Sequence, residues 1–338
     1  VIGDVFKLLG LTAGIILSAV SVFAGENDVI QFRGVSDCSA GVLLKDVSGS
    51  PLILTADDEE GELRVFKLSG GEAVATLDIA AAFKEAGIKT KKEFDLEGAT
   101  AVGGKYYFIG SMARNSNGKE RKDRQFFFCI TVDRKDPNKF GLCGKPYQGL
   151  LRDLSNCESL RKFKLGTAFA KAPKTYGAGN IEGLAADPEG FFWIGFRNPI
   201  PDNKALLVQL LNPDEVLKGE KGKIGKHILL DLNGLGVRDI CWSDTKKCYF
   251  IAAGQYEGKS RKIYSWSGKE TDSAKLVFED FPKDYNAEVV IDLSNEKGNQ
   301  ENRLMVISDD GVLTVNGMDN KDQPPEKRTF RGLQIEIK

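Results

Sequence analysis

Apolar residues along this chain come in short alternating runs, broken by glycine, asparagine and aspartate. Short runs rich in Val, Ile, Phe and Tyr and bounded by turn residues predict β-strands rather than helices. The spacing predicts strands near 39–45, 51–56, 62–68 and 72–78, then near 97–103, 105–110 and 125–132. Further strands are predicted near 182–187, 191–196, 205–211 and 227–232, and near 237–243, 247–253, 261–266 and 275–279. The last set falls near 287–293, 303–308, 312–315 and 329–337. Helix formers run from 79 to 87 and stop at Gly87, a residue type that ends helices. The irregular stretch 133–178 predicts one more strand and a short helix near 150–160.

An acidic residue opens the first strand of each set: Asp37, Glu97, Glu182, Asp239 and Glu288. A local strand unit repeated at this scale is the signature of a β-propeller. The expected fold is therefore all-β, a propeller of five four-stranded blades with one or two short helices between blades. A sixth blade hidden in 133–178 stays open. If 312–315 is a loop, the early run Val29–Arg33 completes the last blade and closes the ring with both chain ends. Such closure removes exposed sheet edges.

Charge narrows the partners. A formal net charge of -1 gives no basic face of the kind nucleic acid requires. Residues 6–24 place a lysine before an apolar run, with Val22 and Ala24 ahead of Gly25, the layout of a cleaved secretory signal. The run is nearly long enough to be a membrane anchor, but the polar Gly25-Glu26-Asn27-Asp28 favours cleavage. The expectation is a leader at 1–24 and a single propeller domain at 25–338, periplasmic or secreted, monomeric, and held to no membrane after cleavage. Export makes disulfides chemically allowed. Cys241 and Cys248 flank a hairpin turn, and Cys143 has both Cys129 and Cys157 as candidate partners. Free thiols are an equal alternative.

In a propeller the first strand of each blade lines the central channel. Asp37, Glu97, Glu182, Asp239 and Glu288 then meet at one mouth of it. Close carboxylates repel and raise one another's pKa unless compensated. A hard cation with oxygen ligands, calcium above all, is one compensation. Arginine is the other, and Arg114, Arg197 and Arg238 stand close to the acidic positions in sequence. Asp57, Asp58 and Glu59, and Asp309 and Asp310, occupy the corresponding loops of the first and last units. Arginine forks suit carboxylate and phosphate oxygens. Three roles compete for the carboxylates: bracing neighbouring blades through backbone N–H groups, holding a metal or ligand, and acid–base catalysis. His227, the only histidine, sits in an outer strand and is expected at the surface. Trp193, Trp242 and Trp266 are expected to pack between blades, and no nucleotide-binding glycine loop is present.

Several motifs carry a resemblance. They are Ala56-Asp57-Asp58-Glu59, Asp95-Leu-Glu97-Gly-Ala-Thr100, Ile109-Gly-Ser-Met-Ala-Arg114-Asn115, Asn180-Ile-Glu182-Gly-Leu-Ala185, Ile194-Gly-Phe-Arg197-Asn-Pro199, Leu235-Gly-Val-Arg238-Asp239 and Ser308-Asp-Asp-Gly311. Together they resemble a bacterial family classed as a domain of unknown function, number 3616, related to esterase-like phytase propellers. Asn286-Ala-Glu288-Val lacks the proline of the family's corresponding segment. The resemblance implies a propeller and no established reaction. Two functions follow as expectations. One is an exported binding protein that takes a cation or a small anionic ligand at the axial mouth, with an unknown protein partner as the other partner class. The other is a metal-assisted hydrolase of phosphoesters or esters.

Overall fold

Twenty strands make five four-stranded antiparallel sheets in a computed structural model that describes residues 29–57, 61–90, 93–257, 261–294 and 302–337. The leader expected at 1–24 lies outside the described residues. Blade I runs outward from Cys38–Lys45 through Pro51–Asp57 and Glu62–Lys67 to Ala75–Asp78. Blade II runs from Leu96–Val102 through Lys105–Gly110 and Phe127–Val132 to Phe140–Leu142. Blade III comprises Asn180–Ala186, Phe192–Asn198, Ala205–Leu210 and Ile224–Leu230. Blade IV comprises Gly236–Ser243, Cys248–Gly254, Arg261–Trp266 and Lys275–Phe278. Blade V starts with Ala287–Asp292, Arg303–Ser308 and Thr329–Glu336.

The fourth strand of blade V is Val29–Arg33, antiparallel to Thr329–Glu336 with Val29 opposite Leu333 and Arg33 opposite Thr329. The two ends of the described chain thus close the ring, as the sequence leads one to expect. Gly71–Glu72 adds in parallel to the far side of this strand, with Phe32 opposite Gly71, and ties blade V to blade I. The stretch 312–315 joins no blade. Thr314–Val315 pairs instead with Met318–Asp319 in a separate hairpin. Among the described residues there is no sixth blade. The 133–178 stretch supplies the short outer strand of blade II and the helices Leu150–Asn156 and Leu165–Ala168.

The inner strands pack against one another in the cyclic order I, II, III, IV, V and back to I. Burial follows the same cycle, because side chains of a pleated strand point alternately to its two faces. One apolar cluster fills each gap between neighbouring blades. Phe83 of the helix Ile79–Glu85 packs against Phe94, Phe126 and Phe128 between blades I and II. Asp78 caps that helix by accepting a 2.8 Å bond from Ala81 N. Trp193, Tyr249 and Trp266 fill the gap between blades III and IV. Phe32 stacks on Phe330 and meets Phe66 edge-on in the gap between V and I. None of the six cysteines is in a disulfide; Cys129 and Cys143 are neighbours across the outer edge of blade II, where Cys143 N donates to Cys129 O. No helix among the described residues is long and apolar enough to cross a membrane.

Candidate functional site

Every inner strand carries a β-bulge near its start, and the bulges define the axial mouth. Strand pairing runs Cys38 opposite Asp57 and then Ala40 opposite Ala56, which leaves Ser39 as the extra residue of blade I. By the same register, the extra residues of the other blades are Glu97, Glu182, Arg238 and Glu288. A bulge frees one residue from the ladder and re-aims its side chain. All five of these side chains line one cavity of about 940 Å³ at the channel mouth.

This register corrects the sequence alignment in two blades. Ser39 and Arg238, not Asp37 and Asp239, are the equivalents of Glu97, Glu182 and Glu288. Asp239 lies one residue past the bulge, and a one-residue shift turns a side chain to the opposite face. Its buried carboxylate accepts bonds from Ile240 N at 2.8 Å and from Val290 N at 2.9 Å, the latter in the next blade. Asp239 therefore braces blades IV and V and does not line the mouth. Burial pushes its pKa up, against those two N–H groups. Asp37 does line the mouth, two residues before its bulge, where Asp95, Asn180 and Asn286 stand in blades II, III and V.

The arginines sort in the same way. Arg238, 3% exposed, reaches three ways: Nη1 donates to Glu182 Oε2 at 3.1 Å and to Glu288 Oε1 and Oε2 at 2.6 and 2.8 Å. Arg197 Nη1 donates to Glu182 Oε1 at 2.7 Å. Burial opposes the charge on Arg197, but Glu182 and Glu288 outweigh it and its pKa is raised. Arg114 is turned away from the mouth, donating to Phe169 O and Gly118 O at 3.2 and 2.9 Å. Asp57 is buried at the end of its strand and does not line the cavity. Asp58 and Glu59 lie outside the described residues. Asp309 lines the mouth, whereas Asp310 faces away and takes both arms of Arg331, at 2.7 and 2.6 Å.

Sequence reasoning missed several members of the mouth. Arg261 opens the third strand of blade IV and lies 3.6 Å from Glu288. Burial, with Arg238 and Arg197 close by, lowers its pKa to about 10 against the pull of Glu288. Asn180 and Asn286 hold the carboxylates two residues after them, with Nδ2–Oε1 distances of 2.7 and 3.1 Å. The repeated Asn-x-Glu spacing was the signal that could have found them. Arg124 pairs with Glu93 and Asp95 on the blade II side. Burial raises the pKa of Asp95, with Arg124 opposing.

The mouth therefore has a positive arc, Arg197, Arg238 and Arg261, set on Glu182 and Glu288. Among the buried polar atoms of mouth residues with no hydrogen-bond partner in the protein are Arg238 Nε, Asn180 Oδ1 and, on the blade II side, Arg124 Nε. The bonds of Arg197, which lines the cavity, use Nη1 and Nε and leave Nη2 without a hydrogen bond in the protein. On the other side, Asp309 accepts from Asn286 Nδ2 at 3.1 Å and Gly311 N at 2.9 Å. Burial, then Glu288 and Asp37, push its pKa up to about 7. Among the described residues, no three His, Cys, Asp or Glu side chains are grouped so that they could hold a metal ion. The calcium expectation meets carboxylates already engaged by arginine: Glu182 by two and Glu288 by Arg238.

A family described as a protein of unknown function (DUF3616) matches residues 148–330, more than half of the chain. No curated protein matches. Among solved structures, the chain is similar to a PQQ-bound aldose sugar dehydrogenase from Streptomyces coelicolor, at 11% identity and TM-score 0.46, covering 91% of this chain and 96% of that one. It is also similar to a glutaminyl cyclase from Myxococcus xanthus, at 8% identity and TM-score 0.45, covering 92% and 95%. An arabinanase from Bacillus subtilis matches at 11% identity and TM-score 0.44, covering 90% and 94%. Likenesses at this level carry nothing about the chemistry of this mouth.

Proposed function

The chain belongs to the DUF3616 family, and from that premise we propose that it is an exported binding protein whose axial mouth takes a small ligand by an anionic group. One observation carries the reading. Three guanidiniums converge on two carboxylates in a cavity of about 940 Å³, and Arg238 Nε stays buried without a protein partner. A buried donor left unpaired costs stability, so a site that keeps one is matched to an acceptor from outside the chain. Arg197 Nη2 supplies a donor, Arg238 adds its positive charge behind it, and Glu182 and Glu288 fix the two planes. Bidentate contact to a carboxylate or phosphate group is the recognition such forks favour. The leader-like layout of residues 6–24 supports export.

Thermal melting with acetate, succinate and inorganic phosphate tests this. A ligand at a hundredfold excess over its Kd stabilises by about 2.7 kcal/mol, a Tm rise of about 4 °C for a chain of this size. Arg197→Gln should abolish the rise. No shift with any of these anions at millimolar concentration overturns the reading. A calcium arm in the same series reads out the cation alternative. Turnover in a phosphoester and ester screen, lost in Arg197→Gln, would make the protein a hydrolase instead.

A further inference from the structure

We infer that the ligand of this mouth is dipolar, with its anionic group on Arg197 and Arg238 and an ammonium group on Asp309. The inference rests on the anion reading above and adds the second pole. Asp309 lines the same cavity as the arginines. Its two hydrogen bonds come from a neutral amide and a backbone N–H, and no cationic side chain among the described residues pairs with it. Asp37 also lines the cavity, and with Glu288 it opposes the ionisation of Asp309. A carboxylate placed there is poorly compensated by the protein, and an incoming ammonium would compensate it. Arg238 and Asn180, 3% and 5% exposed, line the same space, and each keeps a polar atom with no partner in the protein, independently of the acidic group.

The two poles are joined by a continuous chain of contacts. Arg238 binds Glu288, Asn286 Nδ2 bridges Glu288 Oε1 and Asp309 Oδ2 at 3.1 Å each, and Asp309 ends the chain. Positive and negative groups are therefore linked along one wall of the cavity, formed by blades III, IV and V. A small molecule carrying both charges gains the second contact at high effective concentration once the first is made. Metal compensation of Asp309 is the competing outcome, and the experiment includes it.

The test is calorimetric titration of the whole protein with a series of ω-amino carboxylates, from glycine to 6-aminohexanoate. Phosphoethanolamine separates a phosphate anion from a carboxylate. Acetate, phosphate, ethylammonium and calcium chloride are the controls that lack the second pole. One member of the dipolar series should bind at least about tenfold more tightly than either half alone, a difference of about 1.4 kcal/mol. In Asp309→Asn, nearly isosteric and checked for folding by circular dichroism, that ratio should collapse to within about threefold. Arg197→Gln should weaken simple anions and dipolar compounds alike. Simple anions binding as tightly as every dipolar compound would overturn the dipolar inference and leave the anion reading standing. So would a preference that survives Asp309→Asn, or calcium binding that Asp309→Asn removes. Binding of none of these compounds would overturn both.

Discussion

Two aspartates show how much one position of displacement decides. Asp239 is a brace: its carboxylate takes Ile240 N and Val290 N and is 2% exposed. Removing it strands two buried backbone donors, each worth roughly 1–3 kcal/mol when left unpaired. Asp239→Ala should therefore lower unfolding free energy by about 3 kcal/mol in denaturant titration, with anion affinity changed far less than in Arg197→Gln. Asp309 is the opposite case, a mouth carboxylate whose pKa is raised to about 7 by burial, Glu288 and Asp37. An ordinary aspartate titrates near about 3.9, so the fold favours the protonated form. The stability this contributes is full below about pH 4 and is lost as pH rises through about 7. The Tm of the wild type relative to Asp309→Asn should hence be level below pH 4 and fall between pH 4 and 7. A constant Tm difference across that range would show that Asp309 ionises normally.

The strands were legible because alternation and turn residues are local properties. Val29–Arg33 read as a closing strand, and the helix ending at Gly87 read from its composition. The bulges were not legible, because a bulge is a property of two strands: it appears only when Cys38 and Ala40 are set against Asp57 and Ala56. Without it, acidic residues are the natural markers to align, and the alignment slips onto Asp37 and Asp239. The spacing that survives is a pair of positions two apart: Asp37 and Ser39, Asp95 and Glu97, Asn180 and Glu182, Gly236 and Arg238, Asn286 and Glu288. Gly236 breaks the polar pattern for a steric reason, since a Cβ there would lie 2.0 Å from Arg197 O. The closing strand gives the prediction at this scale. Phe32 is fully buried, stacks on Phe330 at 4.7 Å and meets Phe66 at 5.4 Å, so one ring joins three strands of two blades. Phe32→Ala should cost about 3–5 kcal/mol, read as a lowered denaturant midpoint with an unchanged m-value.

Whether the ring unfolds as one unit depends on how its five interfaces are coupled. Each apolar cluster is shared by two neighbouring blades, and the inner strands touch in a closed cycle, so no blade can leave without opening two gaps. The mouth is built from all five blades, and its arginine bridge from Glu182 through Arg238 to Glu288 spans three of them. The tryptophans provide a local reporter of this coupling. Trp193 and Trp266 lie between blades III and IV, and Trp242 packs against the same cluster. Tryptophan fluorescence therefore follows one interface, while far-UV circular dichroism follows all the strands. Phe32 sits in a different gap, between blades V and I. If the ring is cooperative, Phe32→Ala should shift the fluorescence midpoint by as much as the circular dichroism midpoint, with both transitions superimposing. If circular dichroism changes first and fluorescence later, the V–I gap opens while III–IV stays packed. The closing strand would then be a clasp that can release without dismantling the mouth, and Arg238 would keep its grip on Glu182 after the ring had parted.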